Sequence, residues 1–276
     1  MSTLDLRPSP IAGTWYEGNP KSLSASIDRY LDQAKPPNLR GQVVAVIAPH
    51  AGHRYSGAVA AHAFAALRGQ NPELVAVISP FHNYAPYSLI TTSHQAYATP
   101  LGDVEVDQSA LRELQTHLNL PITPLRNDKE HSLEIELPFL QRVFRDGFKL
   151  LPIMVRDQEQ VTAQHLGEAL GKTLADKNAI LVASTDLSHF YDQKTAHHLD
   201  HEMLKRFESF QPESIFEAEH SGAGFACGHA AVAAVLWAAR HLGANAVQVV
   251  NYATSGDVTG DMSSVVGYGA AVVLKA

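Results

Sequence analysis

Residues 43–53 read VVAVIAPHAGH, and this stretch decides the fold. The run from Val43 to Ala48 is apolar and rich in Val and Ile, the pattern of a strand covered on both faces. It stops at Pro49 and His50, and Gly52 lets the backbone turn sharply beside a ligand. Two later stretches repeat the design, LVAVISPFH at 74–82 and ILVASTDLSH at 180–189. Each passes from an apolar run into a histidine, so His50, His82 and His189 mark three strand ends. In an open α/β sheet, ligands bind beyond the carboxyl ends of the strands, and three polar endings therefore converge on one crevice. The expected fold is α/β, a central mostly parallel or mixed sheet flanked by helices, with His50 and His82 on neighbouring strands.

Further elements alternate along the chain. Pro20–Ala34 reads as an amphipathic helix on Leu23, Ile27 and Leu31, stopped by Pro36 and Pro37. Helices are expected at Gly57–Leu67, Gln108–His117, Gln158–Leu174, Lys194–Phe210 and Gly228–His241. Ser132–Phe144 reads as another, kinked at Pro138. Strands are expected at Gln42–Ala48, Leu74–Ser79, Ser88–Thr92, Lys149–Val155 and Ala179–Ser184, and within 246–257 and 263–274. No linker or internal repeat interrupts this pattern, so residues 1–276 are expected to form one domain.

Composition narrows the partners. The 276 residues carry 21 Lys+Arg against 28 Asp+Glu, a net charge of -7 that offers no general attraction to nucleic acid or anionic lipid. The apolar run 230–239 is too short to cross a bilayer, and the N-terminus lacks the basic and apolar regions of a signal peptide. The single cysteine excludes an internal disulfide and fits a reducing compartment. These features predict a cytoplasmic protein with neither nucleic acid nor membrane as partner.

Two neutral imidazoles from strand ends can bind a transition metal from one side and leave positions open, which makes His50 and His82 candidate ligands. Cys227, between glycines at 224 and 228 and just before an expected helix, is the third candidate. A helix start stabilises a thiolate there; the alternative is a small buried apolar residue. In STDLSHF, His189 is a candidate general acid or base with Asp186 as its orienting partner, or Asp186 caps a helix. Glu130, His131 and Glu134 complement a helix start unless their loop folds into the crevice. His53, Tyr55, His131, Glu134 and Tyr191 are the candidate substrate contacts. His197 and His201 imitate a helical metal pair, but Lys205 breaks the HExxH pattern and the helix's apolar stripe turns both to solvent.

The blocks AGTWYEGNP (12–20), APHAGHRYSG (48–57), SPFHNY (79–84), EHSLEIELPFL (130–140), STDLSHF (184–190), ACG (226–228), NYATSGDVTGD (251–261) and SSVVGYGAA (263–271) together resemble the MEMO family, called AmmeMemoRadiSam system protein B in microbes. The resemblance implies a fold similar to the catalytic subunit of class III extradiol ring-cleaving dioxygenases. It also implies a pocket of two histidines and a cysteine, carried here by His50, His82 and Cys227 with Asp186 and His189 alongside. One departure is His229, which stands where the family usually has Arg after Cys-Gly.

A thiolate in place of the carboxylate that dioxygenases present to iron means that ring cleavage is not inherited from the fold. The leading expectation is a mononuclear non-haem metal site, iron(II) before copper or zinc, supporting oxidative chemistry on a small organic substrate. The alternatives are a non-catalytic module that binds a phosphotyrosine peptide or protein partner, and a zinc-dependent hydrolase.

Overall fold

The computed structural model describes residues 4–35 and 38–276. The chain begins with β1 (Leu6–Arg7), α1 (Pro20–Gln33), β2 (Gln42–Ala48), α2 (His53–Ala65), β3 (Leu74–Pro80), β4 (Leu89–Thr92), β5 (Ala96–Thr99) and β6 (Gly102–Glu105). It continues through α3 (Gln108–His117), β7 (Ile122–Leu125), a 3-10 turn (Glu134–Glu136) that runs straight into α4 (Leu137–Val143), β8 (Lys149–Val155), α5 (Gln160–Leu174) and β9 (Ala179–Ser184). The last part comprises β10 (His189–Tyr191), α6 (Gln193–Glu208), α7 (Pro212–Ser221), α8 (His229–His241), β11 (Ala246–Thr254), α9 (Ser255–Thr259) and β12 (Val265–Lys275).

Nine strands form the main sheet in the order β10-β12-β2-β9-β3-β8-β4-β7, with β11 paired to β12. β2, β9, β3 and β8 run parallel, whereas β12 is antiparallel to β2 and β4 is antiparallel to β8. The sheet is therefore mixed within one α/β domain. β1, β5 and β6 make a separate small sheet. The period-2 alternation of a strand explains the two cores. Ala45 and Ile47 of β2 join the apolar cluster that includes α5 and α8, and Val46 and Ala48 join the one that includes α1, α2 and α4. Each fully buried Val, Leu or Ile contributes roughly 1.5–3 kcal/mol relative to leaving it in water.

Local chemistry sets the helix ends. Asn19, Asp107 and Asp192 cap α1, α3 and α6 by accepting backbone N–H groups, and Pro20 occupies the first turn of α1, where its missing N–H costs nothing. α1 stops at Gln33; Pro36 and Pro37, expected to stop it, lie outside the described residues. α2 starts at His53, earlier than Gly57, because its first turn needs no apolar periodicity. Pro138 does not kink a helix: it sits in the first turn of α4, directly after the 3-10 turn. The strands bearing His50 and His82 are not neighbours either, since β9 lies hydrogen-bonded between β2 and β3. Consecutive strands in the sequence are separated in the sheet by one that arrives about a hundred residues later, and this places the His189 strand end in the middle.

Candidate metal centre

β2, β9 and β3 are mutually parallel, so their carboxyl ends open on one edge. His50 follows β2, His82 follows β3, and a third ring, His131, enters from the loop before the 3-10 turn. One ring nitrogen from each of His50, His82 and His131 lies within 4.8 Å of the others. The rings of His82 and His131 are stacked with centroids 4.9 Å apart, and His50 meets them edge-on at 5.3 Å and 5.5 Å. His50 is buried, His131 half-buried and His82 exposed, so the cluster opens from the sheet edge toward solvent.

The outward nitrogens are fixed from behind. His82 Nδ1 lies 2.9 Å from Glu130 Oε1, and the same carboxylate accepts the backbone N–H groups of His82, His131 and Ser132. A carboxylate only accepts, so Nδ1 of His82 carries a proton and Nε2 is the nitrogen left to bind a metal. Burial alone would raise Glu130, but the side-chain and backbone hydrogen bonds from His82 outweigh it and hold the carboxyl well below its usual range. His50 Nδ1 is likewise engaged, 2.9 Å from Ser184 Oγ. Burial, followed by the neighbouring His131 and His82, pushes His50 well below the ordinary imidazole range. Burial brings His131 down to about 4, against the opposing pull of Glu130. Both rings are neutral near pH 7, the form that binds metal.

Cys227 borders this cluster: its Sγ lies 3.2 Å from His50 Nε2. The helix-start argument for a thiolate fails here. Cys227 precedes α8, and burial, with the Asp186 charge added, pushes the thiol far up despite the Asp186 N–H at 3.3 Å. Gly228 allows this approach, because a Cβ there would run into the Ser184 carbonyl and the Thr185 side chain.

Asp186 neither caps a helix nor orients His189. Its Oδ1 accepts the backbone N–H of His50 at 2.8 Å, which pins the end of β2, and burial raises its carboxyl to about 7. His189 opens β10, and its Nδ1 donates to the Leu187 carbonyl at 2.8 Å. Its Nε2 is thus the free acceptor, and burial lowers the ring so that it stays neutral. His189, Tyr191, Glu219, Phe225, Cys227 and His229 line a cleft of about 330 Å³. Tyr191 stacks on Phe225 at 6.2 Å.

The other candidates stand elsewhere. Glu134 is fully buried, and its two oxygens are taken by Arg7 at 2.5 Å and by Ser9 and Tyr16, so it offers a substrate no free face. His53 is buried with Nε2 on the Ile135 carbonyl at 3.0 Å, on the wall of a different cavity with Trp15, Glu17 and Arg54. Tyr55 is partly exposed at 38%. His229 contacts two backbone carbonyls, Ala226 through Nδ1 at 3.0 Å and Gln158 through Nε2 at 3.1 Å. Carbonyls only accept, so both nitrogens carry protons and His229 is an imidazolium, with Glu219 3.4 Å away. Burial opposes this charge, but Glu219 outweighs burial and raises the ring.

Three features of the candidate site are not legible as such in the sequence, His131 being read there as a candidate substrate contact and not as a ligand. His131 reads as a polar helix start, yet its loop folds into the crevice because Arg7, more than a hundred residues earlier, gathers Asp128, the Glu130 carbonyl and Glu134. Glu130 reads from the sequence as part of that helix start, and nothing local pairs it with His82. Ser184, the last residue of β9, carries no motif; its only signal is its position at the end of a buried strand.

The sequence matches a family model described as Memo-like protein over residues 7–272. A MEMO1 family protein of Nitrosopumilus maritimus is 34% identical over 270 residues, covering 96% of this chain and 98% of that one. Counterparts in Methanopyrus kandleri and Methanosarcina mazei are 32% and 31% identical, covering 96% and 98% of this chain and 98% and 100% of theirs. No described helix is long and apolar enough to cross a membrane.

Proposed function

The chain belongs to the Memo-like family, and from that premise and the meeting of three imidazoles we propose that it is a mononuclear non-haem metal protein acting on a small organic substrate. The observation that carries this reading is the trio of ring nitrogens from His50, His82 and His131 within 4.8 Å of one another. The donors suit a transition ion: three imidazoles, of which His50 and His82 are fixed through their second nitrogens, with the Cys227 sulfur adjoining as a softer fourth donor once its proton leaves. Bound there, iron(II) supplies oxidative chemistry, which imidazole and sulfur donors support more readily than the magnesium or calcium chemistry of all-oxygen sites.

The remaining residues bind and move protons. The adjoining cleft has the size of a small molecule, and Tyr191 and Phe225 offer it an aromatic wall. His189, neutral and with Nε2 bare, is placed to take a proton from a substrate in that cleft. Asp186 holds the His50 backbone against the sheet.

Anaerobic titration of the metal-free protein with iron(II), zinc(II) and copper(I), followed by metal analysis and oxygen-consumption assays, tests the reading. The expected result is a single ion per chain, lost in a His50→Ala, His82→Ala double variant. Unchanged metal content in that variant overturns the site, and hydrolysis supported by zinc without oxygen overturns the oxidative part.

A further inference from the structure

We propose that Glu136 is a buried neutral carboxylic acid that acts through Ser184 to hold His50 in one tautomer, with its Nε2 lone pair facing the metal centre. This deepens the metal-centre reading and rests on it. Glu136 ends the 3-10 turn and is 1% exposed. Among the described residues no hydrogen bond joins its side chain to a candidate ligand, so it is a positioning residue.

The argument is hydrogen-bond accounting at Ser184 Oγ, which has three partners: the Ser132 carbonyl at 2.7 Å, Glu136 Oε1 at 2.7 Å and His50 Nδ1 at 2.9 Å. A hydroxyl has one proton to give and two lone pairs to receive. The carbonyl can only accept, so the Ser184 proton goes to Ser132. Both other partners must then donate to Ser184, which requires a proton on Glu136 and a proton on His50 Nδ1. If Glu136 were ionised, either it or the Ser132 carbonyl would face an oxygen with no hydrogen between them.

A second observation agrees. Glu136 Oε2 is buried and has no hydrogen-bond partner among the described residues. A bare carbonyl oxygen of a neutral acid tolerates that far better than a carboxylate oxygen does. Burial pushes Glu136 well above its usual range, the Ser184 contact opposes this, and the nearby Asp186 reinforces it. The two strand-end histidines are thus locked from behind by different devices, His82 by the ionised Glu130 and His50 by a neutral acid and a hydroxyl.

The test uses the metal-free full chain labelled with nitrogen-15 histidine, together with infrared spectra. Wild-type protein should show the carbonyl stretch of a protonated carboxyl that disappears in Glu136→Gln, and His50 protonated on Nδ1. Glu136→Gln, whose amide N–H donates in place of the acid, should keep the tautomer and the zinc(II) affinity. Glu136→Leu and Ser184→Ala should lose the single tautomer and bind zinc(II) about 10–100-fold more weakly, the range for lost outer partners of metal-bound histidines. The proposal is overturned if wild type has no protonated carboxyl, if the Gln variant behaves like the Leu variant, or if both Glu136→Leu and Ser184→Ala leave the tautomer intact. Should the Leu variant not fold, the infrared spectrum and the Gln variant decide alone. A wild-type protein that shows the acid and the tautomer but takes up no metal supports this proposal and sinks the metal-centre reading.

Discussion

The sulfur of Cys227 lies 3.2 Å from Nε2 of His50 across a separation of 177 residues. With His50 neutral and the thiol pushed up by burial and by Asp186, the contact is a thiol donating to a bare nitrogen. A metal entering here must displace that proton, so binding releases acid. Cys227 is only half-buried, yet in the metal-free protein it should react with iodoacetamide at pH 8 at least tenfold more slowly than in urea, because the reactive thiolate is scarce. A native rate equal to the unfolded one would show that the sulfur is already ionised.

Arg7 is a second long-range device. Its guanidinium is 1% exposed and binds Asp128 and Glu134, while also holding the Glu130 carbonyl. Removing one side of a buried ion pair leaves charge without compensation and typically costs about 3–5 kcal/mol. Arg7→Met should lower the urea-unfolding free energy by about that amount, and it should weaken metal binding because Glu130 and His131 ride on the same loop. His82→Ala should weaken binding too, and because it takes a donor from the buried Glu130 carboxylate it should also lower stability. Equal stability of Arg7→Met and wild type would refute the clamp.

Much of this architecture is legible in the chain. Lys149–Val155 and Ala179–Ser184 are strands as expected, because unbroken apolar runs bounded by polar residues fit a buried parallel strand. β1, β5, β6 and β7 have two to four residues each, too few for any period to show. α7 did leave a signal, Pro212 in its first turn and Gly222 at its C-cap in the left-handed region (φ 71°), but its apolar positions are sparse. His50 and His82 stand out because strand ends mark them. His131 does not, because its place depends on Arg7 and on sheet order, and neither leaves a local pattern.

Acid should loosen the metal-free fold through His53. Burial lowers this ring from 6.5 to about 4, against the bond to the Ile135 carbonyl and the charge of Glu17. Between those values the unfolded chain binds a proton that the folded chain refuses, so stability is full above pH 6.5 and falls as pH drops toward 4. The loss from this one group is at most on the order of 3 kcal/mol. His53→Gln, which can still donate to Ile135, should flatten the unfolding free energy across that window. An unchanged slope would assign the acid sensitivity to other groups.

Gly228 reverses the usual rule for glycine at a helix start. Its φ of -106° is open to any residue, so alanine there would ordinarily stabilise by limiting the unfolded chain. Here the space is already filled: a Cβ would strike the Ser184 carbonyl and approach the Thr185 hydroxyl to 3.1 Å, and the Gly228 N–H donates to that hydroxyl at 2.9 Å. The nearest obstacle is the backbone carbonyl that ends a central strand, which cannot yield cheaply. Gly228→Ala should therefore cost about 1–3 kcal/mol, in the range of an overpacked core. Because the displacement falls between Cys227 and the strand end that carries Ser184, it should also weaken metal binding. Calorimetric unfolding and zinc(II) titration of this one variant measure both effects, and a Gly228→Ala protein as stable as wild type would mean that α8 can shift without disturbing the site.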